Sequence, residues 1–490
     1  MSQRVEIKKL PSGVSGLDEV LGGGIPELSF NLIAGGPGTG KTTLAQQIMF
    51  AAASPERPAL FVTILGEPPI KMLRYQQQFS FFDATRVAKC IRYLHLGGEL
   101  QTAGLEQVLT AIINEVEATR PQLVFIDSFR AVARKAAETG QMELQSFVQR
   151  LSLHLTSWEA TTFLVGEYEE AEADSNPIFT IADGIVWLSQ VTSRNSIVRK
   201  VQVVKMRGQG QVPGLHTMKI SEAGLRVYPR LPNPDRPTPL PVDHGQRRRT
   251  GVAGLDEMLG GGIPSGYSVM IVGPSGSGKT TLSTQFIREG IEHGEPGLIA
   301  VFEKRPDEYF TTATHSEKLS QLVDSGMLKM LYLRPLDLSV DETMEEIALA
   351  VHAIGAKRVA IDSLSGFELA LAPSFRDDFR ESLYRMVGAL VRLGVTVVMT
   401  AELVESYTEL RLSPHGISFL TDGIILQRYV ELDGALRKLV CVVKMRGFDH
   451  AKEMKLYDIR PDGIVIGEAL SSYRGLLTGA PEQTPGPKRG

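Results

Sequence analysis

The chain has 490 residues, which is too long for one hydrophobic core, so at least two domains are expected. Hydrophobic residues make up 43% and charged residues 22%, values typical of a soluble globular protein. The formal net charge of -4 excludes a general attraction to nucleic acid or anionic lipid. Two cysteines, Cys90 and Cys441, lie in different halves and exclude a disulfide framework or a thiolate metal site. The polar start lacks a signal-peptide core and no uncharged apolar run is long enough to cross a membrane, so a cytoplasmic location is expected.

An internal repeat organises the chain. Residues 15–26 read Ser-Gly-Leu-Asp-Glu-Val-Leu-Gly-Gly-Gly-Ile-Pro, and residues 253–264 read Ala-Gly-Leu-Asp-Glu-Met-Leu-Gly-Gly-Gly-Ile-Pro. A repeat this long predicts two duplicated domains rather than a solenoid of short units. Prolines fill the stretch between the copies and predict a semi-rigid linker, because proline can neither continue a helix nor donate within a sheet. The predicted divisions are a first domain at 1–230, a linker at 231–246, a second domain at 247–470 and a flexible tail at 471–490.

Two glycine-rich segments match the phosphate-binding pattern G-x-x-x-x-G-K-[ST]. Each follows an apolar run and precedes a helix-like stretch, which is the strand–loop–helix context that the pattern requires. The glycines let backbone N–H groups surround an anion, the lysine neutralises phosphate charge, and the threonine hydroxyl binds Mg²⁺. ATP with Mg²⁺ is therefore the predicted cofactor. The predicted nucleotide-binding residues are Gly35, Gly36, Pro37, Gly38, Thr39, Gly40, Lys41, Thr42 and Thr43, then Gly273, Pro274, Ser275, Gly276, Ser277, Gly278, Lys279, Thr280 and Thr281.

An acidic residue ends an apolar strand in each repeat, at Asp127 and at Asp362. Strands that alternate with helical stretches predict a parallel sheet with helices on both faces, and ligands of such sheets bind at the carboxyl ends of the strands. In P-loop enzymes, an aspartate at this place holds Mg²⁺. The predicted metal-binding residues are Thr42, Asp127, Thr280 and Asp362.

A Lys-x-Arg pair closes a strand in each repeat, Lys205 with Arg207 and Lys444 with Arg446. The period of a strand places both cations of a pair on one face, where they repel each other unless an anion lies opposite. Two interpretations remain open: a solvated strand end, or a pair of side chains that reach a phosphate on a neighbouring subunit. Recurrence in both repeats favours the second interpretation.

A glutamate, Glu303, stands at the end of the strand that follows the second phosphate loop and its helix. A carboxylate at this place is positioned to orient or deprotonate a nucleophile near the γ-phosphate. The first repeat reads Thr-Ile-Leu-Gly-Glu over residues 63–67, so its acid, Glu67, is displaced by two positions. Glu303 and Glu67 are the candidate general bases.

The chain resembles the KaiC family of two-domain RecA-type ATPases and autokinases of the cyanobacterial circadian clock. The resemblance runs from about residue 13 to about residue 467 and is carried by the Gly-Leu-Asp-Glu…Gly-Gly-Gly segments, the two Asp-Ser strand ends and the two Lys-Met-Arg-Gly segments. It implies two tandem RecA-like P-loop NTPase domains, each with a mostly parallel sheet flanked by helices. It also implies a homohexamer in which Lys205, Arg207, Lys444 and Arg446 contact ATP across the subunit boundary.

The resemblance further implies autophosphorylation in the second domain. Members of the family modify an adjacent Ser-Thr pair, and at this place the chain has Ser418 followed by Phe419, with Thr421 matching a later threonine. Ser418 is therefore the predicted phosphorylation site and Thr421 the second choice. Phe419 and Lys304, which replaces the second glutamate of a usual pair, exclude the two-site cycle in its usual form. The tail shows no similarity to the segment that binds the clock partner KaiA.

Two other functions remain open from sequence. A RecA-type DNA motor would thread DNA past basic loops, whereas the corresponding segments here, 168–174 and 402–406, are acidic and disfavour nucleic acid as a partner. A nucleotide-gated scaffold with little catalysis, presenting a surface to a Kai-type or other signalling protein, is the second alternative.

Overall fold

A computed structural model describes most of the chain, namely residues 6–64, 69–102, 104–139, 141–173, 176–193, 196–230, 243, 245–303, 305–306, 308–309, 316–333, 339–371, 379–403, 420–476 and 482–483. Two predicted site residues, Glu67 and Ser418, lie outside this set. So do most of the predicted linker and much of the predicted tail. The chain divides into two compact units, Met1–Asn233 and Pro234–Gly490.

A nine-stranded mixed sheet forms the centre of the first unit, counted over the described residues, with the strand order β11-β10-β9-β8-β3-β7-β6-β4-β5. The strands from β8 to β5 in this order are parallel, and β9 to β11 continue the sheet antiparallel. The strands of this unit are β1 Lys9–Leu10, β2 Ile25–Pro26, β3 Phe30–Gly35, β4 Ala59–Thr63, β5 Ile91–His95, β6 Leu123–Asp127, β7 Thr161–Glu167, β8 Gly184–Ser193, β9 Ser196–Met206, β10 His216–Ser221 and β11 Gly224–Tyr228.

Helices cover both faces of this sheet. They are α1 Leu17–Leu21, α2 Lys41–Ala52, α3 Pro69–Gln76, α4 Ala84–Lys89, α5 Gly97–Thr102, α6 Leu105–Thr119, α7 Phe129–Thr139, α8 Gln141–Ser157 and α9 Pro177–Ile181. Because both faces are covered, the central strands are apolar throughout rather than alternating, and every residue of β3 is buried. Two separate hydrophobic clusters fill the space on the two sides of the sheet.

The second unit repeats this topology, with the strand order β16-β15-β17-β18-β14-β19-β20-β21-β22 over the described residues. Its strands are β12 Arg247–Arg248, β13 Ile263–Pro264, β14 Ser268–Gly273, β15 Gly297–Val301, β16 Leu328–Tyr332, β17 Arg358–Asp362, β18 Thr396–Glu402, β19 Gly423–Leu432, β20 Ala435–Met445, β21 Lys455–Arg460, β22 Gly463–Ala469, β23 Tyr473–Arg474 and β24 Glu482–Gln483. Its helices are α10 Ala253–Met258, α11 Lys279–Glu292, α12 Ser316–Asp324, α13 Val340–Ile354, α14 Leu364–Ala370 and α15 Phe379–Arg392.

The repeated Gly-Leu-Asp-Glu segments have a structural function. Asp18 accepts a hydrogen bond from the backbone N–H of Ser12 at 2.9 Å, and Asp256 accepts bonds from the backbone N–H and the hydroxyl of Thr250 at 2.7 and 2.8 Å. Each aspartate therefore ties the start of its domain to the short helix that carries it.

The prediction of two tandem RecA-like domains with mostly parallel sheets is confirmed. In both units, the phosphate-loop strand lies at the centre of the sheet. One strand separates it from the strand that ends in Asp127 or Asp362, in the spatial order β3-β7-β6 in the first unit and β14-β18-β17 in the second. No described helix combines the length and the apolar character needed to cross a membrane.

Candidate nucleotide-binding site

Each phosphate loop connects the central strand of its sheet to a helix whose N-terminus is a left-handed glycine. Gly40 has φ +101° and Gly278 has φ +93°, conformations that only glycine adopts readily. A Cβ at Gly40 would lie 2.5 Å from Ile220 Cδ1, and one at Gly278 would lie 2.6 Å from the Cδ1 of Ile459. The backbone conformation therefore favours glycine, and a Cβ would also displace the tip of an isoleucine side chain. The loop N–H groups and the start of the helix form an anion site.

The lysine of each loop is largely buried and folds onto the loop itself. Lys41 Nζ donates to the carbonyl of Gly36 at 2.6 Å, and Lys279 Nζ donates to the carbonyls of Gly273 and Pro274, both at 2.8 Å. Burial lowers the pKa of both lysines, and neighbouring carboxylates oppose this shift. A buried ammonium of this kind gains most from an anionic ligand, since phosphate would supply the charge that the loop carbonyls lack.

In the first domain, the predicted metal ligands come together. Thr42 Oγ1 donates to Asp127 Oδ2 at 2.7 Å. Burial raises the pKa of Asp127 to about 6, against the opposing effects of Thr42 and Lys41. A hydroxyl and a carboxylate are the hard oxygen donors that suit Mg²⁺. The described residues contain no cluster of three acidic, histidine or cysteine side chains able to hold a metal, so phosphate oxygens and water would complete the coordination of Mg²⁺.

In the second domain, Asp362 is oriented by a different hydroxyl. Thr400, on β18, donates to Asp362 Oδ1, whereas the first domain has Val165 at the matching place on β7. Buried Tyr309 lies nearby, with its hydroxyl 3.0 Å from Thr284 on α11, and burial raises its pKa. The aspartates of the two domains are therefore held by different hydroxyls, a contrast that the sequence motifs do not reveal.

Glu303 is held in place by the serine that follows the second aspartate. Ser363 Oγ lies 3.0 Å from Glu303 Oε1 and also accepts a hydrogen bond from the backbone N–H of Gly366, as the N-cap of α14. A Cβ at Gly366 would lie 2.6 Å from Glu303 Cγ, so only glycine leaves room for this carboxylate. Glu303 thus lies at the carboxyl edge of the sheet, where its charge also acts on Lys279.

The Lys-x-Arg pair of the first domain has partners within its own domain. Lys205 Nζ donates to the carbonyls of Phe179 and Thr180 at 3.4 and 3.1 Å, at the end of α9. Arg207 Nη1 forms an ion pair with Asp183 at 3.0 Å. The anion that the sequence argument required is therefore present locally, and an external phosphate is not needed to offset the repulsion between the two cations.

The position of this pair relative to its own phosphate loop is informative. Asp183 also accepts a hydrogen bond at 3.1 Å from the backbone N–H of Phe30, which is the first residue of β3. The phosphate loop follows the other end of the same strand, at Gly35. Because β9 runs antiparallel, its end lies at the amino edge of the parallel strands. About five residues of strand, or roughly 16 Å, separate the two edges. Arg207 therefore cannot reach a phosphate bound in its own loop.

The second domain repeats this arrangement. Lys444 Nζ donates to the carbonyl of Thr421 at 2.6 Å, and Arg446 forms an ion pair with Asp422 at 3.4 Å. Asp422 in turn accepts bonds from the backbone N–H and the hydroxyl of Ser268, the first residue of β14, at 3.0 and 2.9 Å. Both Lys-x-Arg pairs thus lie at the sheet edge opposite to the phosphate loop of their own domain.

Thr421, the second predicted phosphorylation site, is buried, with 2% of its surface exposed. Its hydroxyl has no hydrogen-bond partner within the described part of the chain. A phosphate on this oxygen would require the segment to move outward, so the described conformation does not present Thr421 as an acceptor.

Sequence reasoning did not assign a function to two glutamates of the site. Glu167 ends β7 and Glu402 ends β18, each after six buried residues. Glu167 lines a cavity of about 340 Å³ together with loop residues, Asp127 and Ser128. The signal was present in the sequence, since each glutamate is an acid directly after an apolar strand, the same pattern that identified Asp127.

Together, the fold and these sites define a tandem RecA-like P-loop NTPase. A family model described as "ATPase: KaiC" matches the chain twice, over residues 10–232 and 248–471. The chain therefore belongs to the KaiC ATPase family, and the resemblance drawn from the sequence is confirmed. ATP binding follows from this membership, because the family model describes an ATPase.

The curated relatives include the circadian clock oscillator protein KaiC of Prochlorococcus marinus (strain MIT 9313), 27% identical over 98% of this chain and 97% of that protein. The protein of the same name from Rippkaea orientalis is 28% identical, over 97% of this chain and 92% of the relative. Circadian clock oscillator protein KaiC 1 of Synechocystis sp. is 27% identical, over 98% and 92%. The similarity thus spans both domains.

Proposed function

We propose that the chain forms a double-ring homohexamer that binds ATP with Mg²⁺ between subunits, hydrolyses it, and transfers phosphate to Ser418 of its second domain. The family supplies the ATPase activity. The assembly, the metal and the transfer to serine are the parts that this proposal adds.

The observation that carries the proposal is the position of the two Lys-x-Arg pairs. Arg207 and Arg446 lie at the sheet edge opposite to the loops of their own domains. Arg207 and Arg446 keep about 60% and 57% of their side-chain surface exposed despite their ion pairs. In a closed ring with head-to-tail interfaces, one edge of each domain meets the opposite edge of the next copy. The exposed guanidinium groups are then placed to contact the nucleotide of the neighbouring subunit.

The proposed transfer to Ser418 relies on Glu303. Its carboxylate is oriented by Ser363 and lies on the same sheet edge as Lys279 and Asp362, where a γ-phosphate would be held. A carboxylate at this place accepts the proton of an attacking hydroxyl, whether that hydroxyl belongs to a serine or to water. The relatives' names support a signalling or clock-like role. A Kai-type or other signalling protein as partner is a further part of the proposal.

Replacement of the loop lysines tests the core of this function. Lys41→Ala should abolish ATP binding in the first domain and Lys279→Ala in the second, because each removes a buried cation that the loop N–H groups cannot replace. The double variant should bind no Mg-ATP at micromolar concentration in isothermal titration calorimetry, and each single variant should bind one equivalent per chain. Wild-type binding by the double variant would refute the assignment of both loops. Tight binding without turnover in the wild type would instead favour a nucleotide-gated scaffold.

A further inference from the structure

The last residue of β7 and the last residue of β18 occupy the same place in their two sheets. Glu167 is directly opposite Gly35, the last residue of β3, and Glu402 is directly opposite Gly273, the last residue of β14. Each glutamate therefore lies beside the start of a phosphate loop, on the strand between the loop strand and the aspartate strand. Both are exposed, in contrast to the six buried residues that precede each of them.

Each glutamate lies close to the phosphate loop that carries the lysine. Glu167 lines the same cavity as Lys41, Thr42 and Asp127. Glu402 lies beside Gly273, where the second loop begins. Within the described residues, neither Glu167 nor Glu402 makes a hydrogen bond or an ion pair through its carboxylate. Among the described residues, each carboxylate therefore has no partner, and each lies close to the place where the lysine would hold a phosphate.

The other described acid near the first loop is already engaged. Asp127 accepts the hydrogen bond of Thr42 and is suited to the metal. In the cavity at the first loop, Asp127 and Glu167 are the acids that the described residues supply. Among the described residues, Glu167 is therefore the acid at this loop that remains to act on a water molecule.

We propose that Glu167 is the general base for ATP hydrolysis in the first domain. The carboxylate takes a proton from a water molecule as the water oxygen forms a bond to the γ-phosphorus. The bond from this phosphorus to the β,γ-bridging oxygen breaks, and ADP leaves with the electron pair. Phosphate is released, and the proton passes from the glutamate to solvent. This inference rests on hydrolysis by the first domain, which is part of the proposed function.

The test uses the full chain with the second domain silenced by Lys279→Ala, so that hydrolysis reports on the first domain. In this background, Glu167→Gln should lower kcat by about 100-fold or more, the usual size of a general-base effect. The dissociation constant for Mg-ATP should stay within threefold or become smaller, because the substitution removes a negative charge beside the triphosphate.

Matched controls separate this role from a structural one. Glu170→Gln removes an equally exposed glutamate that does not line the cavity, and it should leave kcat within threefold. Glu67→Gln tests the displaced acid that the sequence analysis gave as the candidate base of this domain, and a large loss of kcat there without a loss in Glu167→Gln would overturn the inference. A kcat within threefold of the parent for Glu167→Gln, or a loss caused by weaker ATP binding or lower thermal stability, would overturn the inference. If the Lys279→Ala chain hydrolyses no ATP at all, hydrolysis by the first domain fails, and the proposed function fails there too.

Discussion

Thr42 and Asp127 are joined by a 2.7 Å hydrogen bond although 85 positions separate them in the chain. The bond places the first hydroxyl after the loop lysine against the carboxylate at the end of β6. Two elements that each match a loose sequence pattern are thereby brought into one oxygen-donor site. The titration of Asp127 and the chemistry of the metal are consequently linked.

We expect the stability of the metal-free protein to depend on pH through Asp127. Its folded-state pKa of about 6 lies above the value of about 3.9 expected for an unfolded aspartate. The folded state therefore favours the neutral acid, and this contribution is lost as pH rises through 6. Asp127→Asn, neutral at every pH, should raise the first thermal unfolding midpoint in EDTA by about 5 °C at pH 7.5. The gain should shrink toward zero near pH 4.

The isosteric amide keeps an acceptor for Thr42, so packing is preserved in this comparison. Mg-ATP should reverse the order of the two midpoints, because the metal favours the ionised carboxylate of the wild type. An Asp127→Asn protein that is less stable than the wild type at pH 7.5 without metal would show that Asp127 is not a buried, destabilising charge.

We expect Arg207 to act on the nucleotide of a neighbouring subunit. Arg207→Ala should prevent the ATP-dependent rise in mass to about six chains that light scattering should detect for the wild type. The next test starts from a protein that carries Lys279→Ala. Addition of either Arg207→Ala or Lys41→Ala to this protein should abolish hydrolysis by the first domain. A mixture of the two proteins should regain activity, because a Lys41→Ala subunit supplies an intact Arg207 to its neighbour's intact loop.

Arg150→Ala is the matched control. Arg150 forms an exposed ion pair with Glu106, and neither of these residues is a predicted site residue. This variant should form hexamers and hydrolyse ATP like the parent protein. A wild-type monomer with ATP bound at micromolar concentration, or a mixture no more active than its components, would exclude the contact across subunits.

Phosphorylation of Ser418 should require Glu303 and its serine partner. After prolonged incubation with Mg-ATP, mass spectrometry of residues 411–428 should find phosphate on Ser418. Glu303→Gln should slow this labelling by about 100-fold, through loss of a base. Ser363→Ala should slow it less, because it removes the hydrogen bond that orients the carboxylate and leaves the carboxylate itself. Label on buried Thr421 should be lower than on Ser418.

Glu368→Gln, a change at the acidic residue of α14, the helix that Ser363 caps, serves as the control for loss of charge near the site. Labelling of Ser418 at the wild-type rate in Glu303→Gln would remove Glu303 as the base. Absence of phosphate from the whole 411–428 segment would leave the protein an ATPase without an autokinase step.

The Lys-x-Arg pairs show where sequence reasoning reached its limit. The spacing of Lys205 and Arg207 indicated two cations at one strand end, but not which edge of the sheet that end would lie on. The antiparallel course of β9 places the pair at the amino edge, beside Asp183 and the start of β3. The strand direction, rather than the charge pattern, is what excludes contact with the loop of the same domain.

The sequence by itself determined the two phosphate loops, their lysines and the duplicated α/β organisation. These features are local: a glycine-rich turn between an apolar strand and a helix specifies its own backbone conformation and needs no distant residue. Tertiary structure alone decided which hydroxyl holds Asp127 or Asp362, that Ser363 orients Glu303, and that Glu167 and Glu402 lie beside the loops. The reason is that neighbouring strands of a parallel sheet are distant in the chain, so the order of strands selects the side chains that meet at their carboxyl ends.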